Sequence, residues 1–405
     1  MARSRKKKNT QAAGQKSSVS KKPTICLAMI VKDEEKDIVR CLTSVKDHID
    51  YWVIFDTGSS DSTIEVIQNF MDDAGVKGEL HQSDWKDFST NRNEVLEVAD
   101  SKADFTLLMD ADDHIKVDGN LHNMIGYGHH LYSCKFVINN YMTYDRPMLF
   151  RNGMGFRYEG VLHEYLKKPE NVEVNHAKLI AVVMNANSSP LKRAATEKEK
   201  YANDAKVLLA EHQRNPDDPR TVFYLAQSYR DAGMHKESEE YYRKRAEMGG
   251  WVEEVYYSKL MVPHVKSLAG ESSMDEIMDL YLDAWEYRPW RMEAIHNVVK
   301  YHRLAKRFRT AYSLSAAAMA YYSKFGGKDS LFVAQDLENY VMIDEYCVSA
   351  FYCGEVDVAY VNIKMLMESK NWANIPTHDK ERITNNMKYF EEAYNKKLAE
   401  AKANS

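Results

Sequence analysis

The chain has 405 residues, 44% hydrophobic and 28% charged, with a formal net charge of −5, an ordinary globular balance in a chain too long for one typical domain. No apolar run approaches the ~20 residues that span a bilayer, and the basic N-terminus lacks the apolar core of a signal peptide. The five cysteines, Cys26, Cys41, Cys134, Cys347 and Cys353, are scattered with no CxxC pair, which argues against a disulfide framework or structural zinc and for a reducing, cytoplasmic setting.

Residues 1–22 hold Arg3, Arg5, Lys6, Lys7, Lys8, Lys16, Lys21 and Lys22 and no acid, and read as a disordered basic tail. The body is correspondingly acidic, so nucleic acid is not an expected partner outside this tail. From Pro23 short apolar runs alternate with amphipathic segments. "TICLAMIV" (Thr24 to Val31) reads as a buried strand and "KDIVRCLTSV" (Lys36 to Val45) as a helix with Ile38, Val39, Leu42 and Val45 on one face. "YWVIF" (Tyr51 to Phe55) is a second strand, followed by the turn "DTGSSDST" and a helix entered through a Ser62/Glu65 capping box. "ELHQ" offers a short third strand, Ser89 to Ala99 a helix, and "FTLLM" (Phe105 to Met109) the next strand.

This alternation predicts an α/β domain, a mostly parallel sheet covered on both faces. Ligands of such sheets bind beyond the carboxyl ends of the strands, and Asp56 and Asp110 each follow a strand directly. No GxGxxG and no GxxxxGK[ST] occurs, so a phosphate would have to be met by a cation rather than by Gly-rich backbone. In "LLMDADDHI", an extended chain past Met109 would point Asp110 and Asp112 the same way and Asp113 elsewhere. Two such oxygen ligands suit Mg²⁺ or Mn²⁺; an acidic turn capping the next element is the competing reading.

After about Pro190 helical periodicity takes over. Leu225, Ala226, Tyr229, Gly233, Ser238 and Tyr242 are spaced like a tetratricopeptide helix pair. Val298, Val299, His302 and Ala311 repeat the pattern 73 positions later. Tyr281, Ala284 and Pro289 fit an intervening unit, and Gly354 with Ala359 a weaker fourth. The expected organisation is therefore a basic tail (1–22), an α/β domain (23–190), an all-α repeat domain (191–395) and a short disordered tail (396–405).

Four blocks in fixed order, "TICLAMIVKDEEKDIVRCLTSV", "VIFDTGSSDST", "DFSTNRNEVLEVA" and "LLMDADD", resemble the family-2 glycosyltransferases of GT-A fold. The later "MLFRNGMGFRYEGVLHEYL" is similar to a branch that carries tetratricopeptide-like repeats behind the transferase. The resemblance implies an inverting, metal-dependent transfer from a nucleoside-diphosphate sugar, UDP favoured, to a protein or glycan acceptor, and the extended concave surface that helical repeats build is a candidate to hold that acceptor. It implies that Asp56 contacts base or ribose, with Lys32 and Glu34 lining the same pocket, and that Arg92 approaches the phosphates. Asp110 would touch ribose or metal-bound water, Asp112 would ligate Mn²⁺ or Mg²⁺, and His163 is a third candidate ligand. Glu164 is the first candidate for the base that takes the acceptor's proton, with Glu159 and Asp145 behind it. Repeats of this kind commonly self-associate, which leaves a homodimer open.

Two other classes compete. A nucleotidyltransferase also uses acidic metal ligands on such a sheet, but normally carries a Gly-rich basic loop that "VKDEEKD" does not offer. A non-enzymatic adaptor would leave the repeats as the working part; the presence of Asp56, Asp110, Asp112 and His163 together argues against decay of the site.

Overall fold

A computed structural model describes residues 22–138, 142–185, 196–270 and 272–403. The chain forms two compact units, Met1–Pro190 and Leu191–Ser405.

The first unit is built on an eight-stranded, mostly parallel sheet. Its strands are β1 (Ile25–Val31), β2 (Tyr51–Asp56), β3 (Gly78–Gln82), β4 (Phe105–Leu108), β5 (Asp113–Val117), β6 (Leu131–Ile138), β7 (Met142–Arg151) and β10 (His176–Asn185), in the order β3-β2-β1-β4-β7-β6-β10-β5. The β3-β2-β1-β4 half is parallel; β7 runs antiparallel to both β4 and β6. A separate hairpin pairs β8 (Arg157–Glu159) with β9 (Tyr165–Lys167).

The near-continuous apolar run of β1 follows from burial on both faces. Ile25, Leu27, Met29 and Val31 pack with Ile38, Cys41, Leu42 and Val45 of α1 (Ile38–Val45) and with Ile67 and Met71 of α2 (Thr63–Ala74). Cys26 and Ala28 point the other way, onto Val95, Leu96 and Ala99 of α3 (Phe88–Ala99). Helices on opposite faces of a parallel sheet are what the alternating pattern demands. Because β1 and β2 are in register at Val31 and Asp56, and β2 and β3 at Asp56 and Gln82, the loops after these strands emerge on one edge.

The capping box expected at Ser62 does not form. Ser62 accepts no cap hydrogen bond; the Asp61 carboxylate receives the Thr63 N–H at 3.0 Å instead, and the Glu35 side chain receives that of Ser62 at 3.1 Å.

The second unit is all helical: α5 (Glu197–Arg214), α6 (Pro219–Asp231), α7 (His235–Glu247), α8 (Val252–Ala269), α9 (Met274–Tyr287), α10 (Met292–Leu304), α11 (Phe308–Phe325), α12 (Met342–Tyr352), α13 (Val356–Glu368) and α14 (Thr377–Ala403), each packed on the next. Leu225, Ala226, Ser238 and Tyr242 are buried between α6 and α7, where Ser238 Oγ donates to the Ala226 carbonyl at 2.8 Å. Val298, Val299 and Ala311 are buried at the matching places of α10 and α11. The turn inside each pair needs a left-handed residue: Gly233, Gly270 and Gly354 supply it, whereas Lys306 holds the place of Gly233 in the later copy at φ 57°.

Two expectations about the ends change or fall away. Residues 396–403 are the last turns of α14 rather than a disordered tail. The basic stretch lies, but for Lys22, outside the described residues.

Candidate active site

The loops after β1 and β2 are cross-tied. The Asp33 N–H donates to Ser59 Oγ at 2.9 Å and Asp33 Oδ1 receives the Ser60 N–H at 2.7 Å. The Glu34 N–H donates to Thr63 Oγ1 at 2.7 Å. Lys32 reaches over the same loop, beside Gly58. Asp56 ends β2 almost completely buried, and its carboxylate turns back on its own loop. Oδ1 receives the N–H groups of Gly58 and Ser59 at 3.0 and 2.9 Å, and Oδ2 the Ser59 hydroxyl. Asp56 thus shapes this edge as an Asx-turn anchor.

The centre of the site is an ion network that joins four elements. Arg92, on α3 and only 3% exposed, donates through Nη2 to Asp110 Oδ1 at 2.6 Å and through Nε to Glu164 Oε1 at 2.9 Å. Arg146, on β7, takes the other oxygen of Asp110 at 2.9 Å and stands 3.6 Å from Asp113. Tyr158 lies under the Arg92 guanidinium, 5.6 Å from its ring centre. Burial alone would raise the Asp110 pKa, but the charges of Arg92 and Arg146 outweigh it and hold the carboxyl well below the usual carboxylate range. Burial opposes charge on both arginines too, and the attraction of Asp110 overcomes it, so both stay firmly protonated.

Glu164 reaches Arg92 because the β8–β9 hairpin is docked on α3. Asn93 makes a reciprocal pair with the main chain of Tyr158: its Nδ2 donates to the carbonyl and its Oδ1 receives the N–H, each at 2.8 Å. The hairpin tip needs a glycine. Gly160 has φ +102°, and a Cβ there would meet the Leu162 carbonyl at 3.4 Å and the Glu164 main chain at 3.5 Å.

The acidic motif does not stay extended past Met109. Asp113 N–H closes a turn on the Asp110 carbonyl at 3.1 Å, so the alternation that would align Asp110 with Asp112 is lost. Asp113, expected to point elsewhere, is instead fully buried and shares Arg146 with Asp110. Asp112 sits on the turn, partly exposed, its carbonyl receiving Arg40 Nη2 at 3.2 Å.

These positions test the expected metal set. Both oxygens of Asp110 are taken by guanidiniums, and His163 is exposed on the hairpin tip at φ 54°. Among the described residues no three His, Cys, Asp or Glu side chains gather to hold an ion. The described residues therefore supply no complete set of protein ligands for an ion. Within the network three carboxylates, Asp110, Asp113 and Glu164, face two guanidiniums, those of Arg92 and Arg146.

The other base candidates stand apart from this network. Asp145 is exposed and paired with Lys178. Glu159 is tied to Lys167 at 2.8 Å and to the Tyr165 hydroxyl at 3.0 Å. Arg146, Tyr158 and Asn93 escaped the sequence reading. Arg146 had a signal: a lone cation in the apolar strand "RPMLF" requires a buried counter-charge.

The first unit thus carries, at the carboxyl edge of a mostly parallel sheet, cross-tied loops and an arginine-held acidic motif. Residues 26–177 match the model of glycosyl transferase family 2. A glycosyltransferase of Bacillus subtilis, SunS, described as SPbeta prophage-derived, is 25% identical over 232 residues, 55% of this chain and 53% of that protein. A TPR repeat-containing protein of Synechococcus elongatus is 40% identical over 92 residues, 22% of this chain and 21% of that one. The chain thus spans about half or less of the length of these curated relatives. Among solved structures, S. aureus TarS 1–349 in complex with UDP-GlcNAc is similar at 12% identity and a TM-score of 0.36, covering 65% of this chain and 90% of that one. No helix among the described residues is long and apolar enough to cross a membrane.

Proposed function

We propose that the protein is an inverting, metal-assisted glycosyltransferase that moves a sugar from a nucleoside-diphosphate donor, with uridine the first base to test, to a protein or glycan acceptor. The observation that carries this is the Arg92–Asp110–Arg146 network, with Glu164, on the strand edge of a family-2 domain. In the reaction the acceptor's nucleophilic atom bonds to the anomeric carbon as the bond to the β-phosphate oxygen breaks, and the nucleoside diphosphate leaves with the electron pair. Asp112 is the residue that would hold Mn²⁺ or Mg²⁺, and such an ion would supply positive charge toward a departing diphosphate. Arg92 and Arg146 fix Asp110 against the donor side of the site, where a preorganised carboxylate costs no rearrangement during the reaction.

Glu164 receives the acceptor's proton. Of the three carboxylates considered for this task it is the one joined to the network, held through one oxygen by Arg92. Lys32, Glu34 and the loop anchored by Asp56 form the nucleoside end, and His163 stands on the acceptor side. The five unpaired thiols, four of them buried, suit a reducing compartment such as the cytoplasm.

The test is a panel of nucleotide sugars with the full chain, with and without Mn²⁺ or Mg²⁺, read as release of nucleoside diphosphate. Metal-dependent turnover of one donor is expected. Absence of turnover with every donor overturns the reading.

A further inference from the structure

The chain between α11 and the helical turns that lead into α12, residues 326–334, lies along the helices instead of looping away from them. α6, α8 and α10 touch one another through Phe223 and Tyr257, ring centres 5.7 Å apart, and through Tyr256 and Glu293, 3.1 Å apart. Their side chains bind the connection through its main chain, as they would a separate peptide. Glu253 of α8 receives the N–H groups of Ser330 and Leu331 at 2.8 and 2.7 Å. Arg291, at the start of α10 and 1% exposed, donates to the carbonyls of Leu331 and Phe332 at 3.2 and 3.3 Å. Glu293 receives the Ala334 N–H at 3.0 Å.

Two side chains of the connection add anchors three residues apart. The Asp329 carboxylate, 4% exposed, is gripped bidentately by Arg288 and approached by Arg291 at 3.4 Å. The Phe332 ring rests on Tyr257 and Phe223, ring centres 4.8 and 6.4 Å apart.

A connector that had only to span two helices would not need buried charged side chains to satisfy its main chain. Binding main-chain groups is how a surface recognises an extended peptide whatever its sequence, and the side-chain anchors then select. The segment is also poorly committed to its place. Phe332 is 49% exposed and sits at φ 48°, an outlier for a bulky residue. It leaves α11 through Gly326 and Gly327, the latter at φ +73°.

We propose that residues 328–334 are a tethered ligand of the helical unit. The surface beneath them binds the main chain of a peptide that carries an acidic side chain three residues before an aromatic one, and a partner peptide of that kind takes the tethered segment's place. This rests on the helical unit alone and stands or falls separately from the transferase reading.

Two measurements on the full chain test it. In native-state hydrogen exchange the amides of Ser330, Leu331 and Ala334 should open at least tenfold more often than those of 295–299 in α10. Opening only together with α10 overturns the proposal. In the second, a labelled peptide with the sequence GKDSLFVAQ should bind Phe332→Ala at least tenfold more tightly than the unaltered chain. The same peptide with its aspartate changed to asparagine and its phenylalanine to alanine should not bind. Equal weak binding of both peptides by a folded Phe332→Ala chain overturns the proposal; if that variant does not fold, the exchange result decides.

Discussion

Arg92 and Asp110 are 18 positions apart in the chain and 2.6 Å apart in the fold, and the same guanidinium binds Glu164, which arrives from the β8–β9 hairpin. Arg92→Met therefore removes one partner from two carboxylates at once. Turnover should fall by at least about 100-fold, the scale of losing a preorganised charge contact. Steady-state kinetics of nucleoside-diphosphate release, with circular dichroism to confirm folding, measures this; activity within about twofold of normal would remove Arg92 from the reaction.

Arg146 is the cation that Asp110 and Asp113 share. With Arg146→Met the fully buried Asp113 loses that cation beside a second carboxylate. Breaking a buried pair costs about 3–5 kcal/mol, and the partial exposure of Arg146 reduces this to about 2–3 kcal/mol by the same reasoning. Arg146→Lys should recover part of it. Urea unfolding followed by tryptophan emission reads both variants.

Asp112→Ala should leave stability within about 0.5 kcal/mol, as for a partly exposed turn position. It should nevertheless abolish metal-dependent turnover. Normal response to Mn²⁺ in this variant would show that the ion binds elsewhere.

The helical unit should weaken in mild acid. Burial lowers the pKa of His212, His264, His296 and His302, so near pH 6 the folded state binds fewer protons than the unfolded one. This stability is present above the unfolded value, ~6.5, and is lost as pH falls through it toward the folded values. Between pH 7 and pH 5 the melting temperature of residues 191–405 should drop by a few degrees, about the scale of 1 kcal/mol. The Asp110 pair behaves differently. Its depressed pKa leaves it charged well below ~4, and its contribution disappears only in stronger acid. Melting curves of the full chain at pH 5 and pH 7, resolved by exchange mass spectrometry into the two units, separate these effects.

Cys353 should react with a thiol reagent well before the other four cysteines. Cys26, Cys41, Cys134 and Cys347 are buried, and burial pushes the Cys26 and Cys134 thiols up to about 12. One fast-reacting thiol in the folded chain, and five after denaturation, is the expected count.

Much of the fold was legible because periodicity reports burial directly. The run "ICLAMIV" and the spacing of Ile38, Leu42 and Val45 each announce the surface they cover. Helix pairs were legible through Gly233 and its partners, although Lys306 shows that the left-handed turn can be kept without glycine. The site was legible only as a set of residue types. Alternation along "DADD" assumes an extended chain, and the turn closed by Asp113 breaks that assumption. Nothing local in the sequence says that Asp110 will spend both oxygens on arginines from α3 and β7, because those partners meet it only through the strand order β1-β4-β7. Asp56 was similarly placed at the right edge, while its inward hydrogen bonds depend on the backbone path of Gly58 and Ser59.

The ties between the first two loops, Asp33 to Ser59 and Ser60, and Glu34 to Thr63, have a thermodynamic consequence for any nucleotide bound there. Segments that would otherwise have to be ordered by the ligand are already fixed by one another, so the entropy of ordering is charged to folding rather than to binding. Affinity at this edge is then set by the contacts themselves, and Ser59→Ala or Thr63→Ala would weaken binding by loosening the loops that make those contacts.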